Sequence, residues 1–345
     1  MRLWKIAFVT LVASTALASG QSPPPAPRAE TPQAPLDRAS IVWPPGYIEP
    51  NTPGMPYLTP ETPTGTGRFK AIMVSDPGAP EFVTYYPADV NGLANRKMPI
   101  VVWGNGSCSF IGNRFRYFLT EIASHGYLAL AGGPMGPRER ETITMASNNP
   151  TPAVGAPRAG AAAPQTAAPP AAPAQRQVTV DLLKRGITWA IAENSRQGSK
   201  FFGKLDTNAV AVMGQSCGAR LAAEFGDDPR VKTIGVWMGS NADARARFRV
   251  PALYVSGNET YDIAYPRAKA DFENIKGVPV FYAWRDGLAH LGTFRQQHGG
   301  ELGRIAVAWL EWQLRGDRQA ARMFKGAECT LCRDAAWHVQ KKGID

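Results

Sequence analysis

Apolar residues along this chain fall into two alternating rhythms. Short β-branched and aromatic runs, bounded by Gly, Pro, Asn or Asp, read as strands: "RFKAIMVS", "FVTYYP", "MPIVVWGNGSC", "YLALAG", "AVAVMGQ", "VKTIGVWM", "PALYVSG" and "VPVFYAW". Between them, apolar positions recur at helical spacing over Arg114 to His125 (ended by Gly126), Val178 to Asn194, Cys217 to Phe225, Tyr265 to Ile275 and Gly303 to Leu314. Strands that alternate with helices predict one α/β domain, a mostly parallel central sheet with helices on both faces. The 345 residues, 44% hydrophobic and 19% charged, suit a globular chain with a sizeable core.

Three stretches stand outside this rhythm. Residues 1–20 read as a signal peptide: Arg2 and Lys5 precede the apolar "IAFVTLVASTALA", and Ala16-Leu17-Ala18 is a small-residue cleavage site. Residues 21–66 are proline-rich, which blocks helix and central strand, and are expected to form an extended tether. Residues 150–174 are almost wholly Ala, Pro and Gly. Such a stretch buries too little apolar surface to offset its ordering entropy, so it is expected as a disordered insertion within a domain spanning 67–345. The alternation resumes directly after it.

The leader implies a periplasmic or secreted protein. No later run reaches the ~18 apolar residues of a membrane span, so none is expected in the mature chain. The formal charge of +10 falls by two on cleavage and still favours anionic partners, although a solvated surface accounts for it equally well. No nucleic-acid-binding motif is present.

Candidate chemistry sits in "VAVMGQSCGARLAAE", where a strand runs into a helix through Gly214-Gln215-Ser216-Cys217-Gly218. Strand, Gly-x-Ser-x-Gly, helix is the pattern of a nucleophile elbow, which lifts the serine above a sheet at a helix N-terminus. A serine hydroxyl needs a base, and the base an orienting acid. Of the four histidines, His290 in "AWRDGLAHLGTF" follows the last run read as a strand, so it is the expected base. His125 ends a helix, and His298 and His338 lie in polar segments. The acid is expected after "PALYVSG", which leaves Glu259 and Asp262, with Asp286 a weaker third. Asp262 is preferred, although a carboxylate there could instead cap the following helix.

Two backbone N–H groups must face the charge that develops on an attacked carbonyl. Cys217 supplies one, as the residue after the nucleophile. The glycine-bearing loop "VVWGNGSC" supplies the other from Asn105, or Gly106. If both segments converge on one carbonyl, Cys108 and Cys217 come close, so they form either a disulfide that staples the loop to the elbow or a pair of free packed thiols. Cys329 and Cys332 in "CTLC" are expected to form a local disulfide, in preference to a redox pair or half a zinc site. Trp103, Phe110 and Trp284 either line an acyl pocket or belong to the core.

On "WGNGSC", "EIASHGYLALA", "VMGQSCG", "TYDIAYP", "AHLGTF" and "GDRQAARMFKGAECTLC", the region from Arg68 to Asp345 resembles secreted bacterial α/β-hydrolases of the dienelactone hydrolase, chlorophyllase and polyester hydrolase group. The resemblance implies an α/β-hydrolase fold and assigns the acid and base to Asp262 and His290. The chain departs from the group in the spacing of "ETYDIAY", which keeps Glu259 open, and in "LAHLGT", where glycine would usually precede the histidine. The expectation is a serine hydrolase that cleaves a small or polymeric carboxylic ester through an acyl-enzyme, with no cofactor or metal. The alternatives are an amide hydrolase, a depolymerase of an anionic polymer, or a noncatalytic binding protein built on the same fold.

Overall fold

The computed structural model describes residues 63–93, 96–136 and 176–345. The expected leader, most of the proline-rich segment and the expected Ala/Pro insertion lie outside the described residues.

Among the described residues, nine strands form one sheet in the order β1-β2-β4-β3-β5-β6-β7-β8-β9. They are β1 (Ala71–Ser75), β2 (Phe82–Pro87), β3 (Met98–Gly104), β4 (Leu128–Gly132), β5 (Leu205–Gln215), β6 (Val231–Trp237), β7 (Ala252–Gly257), β8 (Val280–Arg285) and β9 (Trp337–Lys342). Neighbours from β4 across to β8 pair in parallel, whereas β1 with β2, β2 with β4 and β8 with β9 are antiparallel. The connecting helices are α1 (Arg116–Ser124), α2 (Val180–Ser195), α3 (Cys217–Ala223), α4 (Tyr265–Asn274) and α5 (Gly300–Arg315), followed by the short α6 (Arg318–Ala321) and α7 (Thr330–Arg333).

The central strands are apolar at almost every position because both faces of the sheet are covered. Ile100, Val102, Val210, Val212, Ile234 and Tyr254 point to one face, where Leu182 and Ile187 of α2, Ala219 of α3 and Phe272 of α4 cover them. Val101, Trp103, Ala211, Met213 and Leu253 point to the other, against Phe118 and Ile122 of α1 and Ile305 and Trp309 of α5. Pro99, which cannot donate to the ladder, sits where the register of β3 against β5 shifts.

The C-terminal segment, read from sequence as a polar tail, forms β9. Trp337 is buried, but most of the residues after it are partly or fully exposed, so this edge strand lacks an apolar signature. It forms because β8 offers it an unpaired edge.

A polar clasp ties the chain before β1 to α1. Glu121 accepts the Thr66 N–H at 2.7 Å and faces His125 Nε2 at 3.1 Å and His298 Nδ1 at 3.6 Å. Burial pushes this carboxyl up, but hydrogen bonds from His125 and Thr66 outweigh it and hold Glu121 below the usual glutamate value. An acid depressed on folding adds stability above its unfolded pKa of ~4.3 and loses it as pH falls through the folded value. Glu121→Gln is therefore expected to cost about 2 kcal/mol at pH 7. The gap to wild type should close below pH ~4 in urea titrations; a gap independent of pH would assign the loss to packing instead.

Candidate active site

The C-terminal ends of β3, β5, β7 and β8 meet around Ser216. The residue occupies the turn from β5 to α3 with φ 55° and ψ −117°, a conformation that side chains other than glycine rarely adopt. Such strain persists only where the surroundings enforce it, and here backbone packed on backbone does so. A Cβ on Gly214 would stand 2.3 Å from the Gly218 carbonyl oxygen, and one on Gly218 would stand 1.9 Å from that of Gly104. A larger residue at 214 would force β5 from α3, and one at 218 would force β3 from α3. The Ser216 N–H is secured to the Trp237 carbonyl at the end of β6 (2.9 Å), and the residue is partly exposed.

His290 arrives on the loop after β8 and is 3% exposed. Its Nε2 lies 2.9 Å from Ser216 Oγ and its Nδ1 lies 2.7 Å from Asp262 Oδ1. Asp262 is fully buried after β7, where Oδ2 accepts the Gly257 N–H (3.0 Å) and Oδ1 that of Ala264 (2.9 Å). A carboxylate beside Nδ1 keeps the proton there, which leaves Nε2 free to accept from the serine hydroxyl. These groups can therefore move a proton from Ser216 Oγ to His290 while Asp262 holds the ring and offsets the charge gained.

The other candidates lie elsewhere. Glu259 is exposed on the same turn. Asp286 accepts from Asn258 Nδ2 at 2.8 Å and faces His338 Nε2 at 3.2 Å; these hydrogen bonds hold its carboxyl below the usual aspartate value. His125 and His298 belong to the Glu121 clasp, and His338 stacks on Trp284 from β9. Trp103 is core: it is fully buried among Phe115, Phe118 and Phe294. Phe110 is half-buried under the Arg176 guanidinium.

The loop after β3 folds over the elbow. A Cβ on Gly218 would stand 2.8 Å from the Asn105 amide nitrogen, so that nitrogen borders the start of α3. The Asn105 side chain has a separate task, because its Nδ2 reaches the carbonyls of Ser109 (2.8 Å) and Gly132 (2.7 Å) and holds the loop in shape. The N–H of Cys217, in the first turn of α3, has no acceptor within the helix. Gly106, the other candidate donor, follows in the same loop and lies against the Gln215 side chain. Cys108 and Cys217 are joined as a disulfide that crosses from this loop to the residue beside Ser216, and Cys329 pairs with Cys332.

Two polar residues that sequence reasoning passed over organise these loops. Asn258 Oδ1 accepts the N–H groups of Thr260 (3.1 Å) and Tyr261 (3.2 Å) and shapes the Asp262 turn. Gln215 Nε2 donates to the His290 carbonyl at 2.8 Å. Its one visible signal is a polar residue that ends an apolar strand directly before the serine.

Among the described residues, no group of three or more His, Cys, Asp or Glu could hold a metal ion, and no helix is long and apolar enough to cross a membrane. Compared with known proteins, the chain matches no family model and no curated relative.

Proposed function

We propose that this protein is a serine hydrolase of α/β-hydrolase fold that cleaves carboxylic esters through an acyl-enzyme. One observation carries the reading: a hydroxyl, an imidazole and a carboxylate from three separate strand ends stand in line at 2.9 and 2.7 Å. The order along the chain supports it, with the serine after β5, the acid after β7 and the histidine after β8. So does the strand order, in which β3 and β4 exchange places and β2 runs antiparallel. The motifs "VMGQSCG" and "TYDIAYP" resemble those of the dienelactone hydrolase, chlorophyllase and polyester hydrolase group, which supports the same reading. Two disulfides and the leader fit an exported protein.

In this mechanism Ser216 Oγ attacks the ester carbonyl as His290 Nε2 takes its proton. The N–H groups of Asn105 and Cys217 receive the oxyanion, aided by the positive end of α3. Collapse expels the alcohol, which His290 protonates. Water, deprotonated by the same imidazole, then releases the acid. An amide would follow the same course with a poorer leaving group.

A fluorophosphonate probe should add one label, on the peptide that contains Ser216. p-Nitrophenyl esters of graded chain length should turn over faster than the matching anilides. Absence of both labelling and turnover would leave a noncatalytic binding protein; anilides turned over as fast as esters would make it an amidase.

A further inference from the structure

β5 ends in a chemical exception. From Ala209 to Gly214 every residue is apolar or glycine, yet the next is Gln215, a residue only 3% exposed. A buried amide is costly unless its polar atoms find partners. Gln215 Nε2 finds the main-chain carbonyl of His290 at 2.8 Å. Its Oε1 lodges against the loop after β3, where a Cβ on Gly106 would stand 2.1 Å from it. One side chain thus touches the loop that carries the base and the loop that carries the expected oxyanion donor.

The main chain of His290 is held on both sides. Its N–H donates to the Tyr261 carbonyl (3.2 Å), next to Asp262, and its C=O accepts from Gln215, next to Ser216. The acid turn and the elbow therefore grip the two ends of the same residue. The loop is also anchored by Leu288 and Phe294, which are buried in the core on either side of His290. The Gln215 hydrogen bond ties the main chain of His290 directly to the residue before Ser216.

We infer that Gln215 is a positioning residue that fixes the reach of His290 to Ser216 without touching the substrate; this rests on the hydrolase reading above. A displacement of about 1 Å between reacting groups can cost on the order of 100-fold in rate. Gln215→Leu, which keeps the volume and removes the donor, should lower kcat by roughly 10- to 100-fold with KM within about twofold.

Gln215→Glu is near-isosteric, and its effect depends on pH. Ionised, it sets an acceptor against the His290 carbonyl; protonated, it can donate again. Burial raises such a carboxyl above the ordinary range. The ratio of its kcat to that of wild type should therefore climb from pH 8 to pH 6, while the Gln215→Leu ratio stays level. Taking the ratio cancels the titration common to the triad.

The experiment measures fluorophosphonate labelling rate, ester kcat and KM, and Tm for all three proteins across that range. Labelled wild type with Gln215→Leu within twofold of it overturns the inference. A Gln215→Glu ratio that is low and level with pH also overturns it, since shape and not the donated hydrogen would then matter. If Gln215→Leu does not fold, the Gln215→Glu ratio decides alone. An unlabelled, inactive wild type fails the hydrolase reading itself and so is told apart from either result.

Discussion

Removal of the Ser216 hydroxyl by Ser216→Ala is expected to reduce ester turnover by on the order of 10³ to 10⁶, with the fold and Tm little changed. In the proposed reaction Ser216 forms the covalent intermediate, and the turn's shape comes from backbone packing among Gly104, Gly214 and Gly218, which the substitution leaves alone. Asp262→Asn should cost roughly 10⁴ in kcat. Both Asp262 oxygens accept from backbone, Oδ2 from Gly257 and Oδ1 from Ala264, so an amide nitrogen at either position meets an N–H donor. With the nitrogen on the His290 side, the ring must take the tautomer whose Nε2 carries hydrogen and cannot act as a base. His290→Ala combined with Ser216→Ala should be no worse than Ser216→Ala alone, because the groups act as a unit. Additive losses in kcat would mean that the contacts at 2.9 and 2.7 Å are not one proton path.

Breaking the bond between Cys108 and Cys217 is expected to reduce both stability and rate. The link closes a separation of 109 residues, worth ~5 kcal/mol in chain entropy alone, whereas Cys329–Cys332 closes a separation of 3, worth ~2 kcal/mol. The longer link also fastens the Asn105 loop to the residue after Ser216, so its loss should lower kcat by roughly 10- to 100-fold through a displaced oxyanion donor. The two pairs can be separated by substitution: Cys108→Ser with Cys217→Ser should show both losses, while Cys329→Ala with Cys332→Ala should keep kcat within about twofold. Urea unfolding and ester kinetics on the two variants measure this directly. Full kcat in the first variant would show that the Asn105 side chain, bonded to Ser109 and Gly132, holds the loop unaided.

The alternating runs predicted the eight strands from β1 to β8 and the five main helices within a few residues of their observed bounds, because periods of 2 and 3.6 are written into neighbouring residues. Gly-x-Ser-x-Gly between a strand and a helix located the elbow for the same reason: its glycines and serine are local. What lay beyond reach depends on contacts between distant segments. From sequence Asp262 is preferred to Glu259 on the same turn, but the latter stays open; only the burial of Asp262 beside His290, 28 residues away, and the exposure of Glu259 separate them. The Cys108–Cys217 link, the bond from Gln215 to the His290 carbonyl 75 residues away and the pairing of polar β9 with β8 likewise leave no periodic trace. The chain alone determined which elements form and where a reactive serine could stand, since these follow from residues within a turn of one another. The tertiary structure decided which acid, which loop and which amide surround that serine, since such choices arise only when strand ends far apart in the chain pack edge to edge.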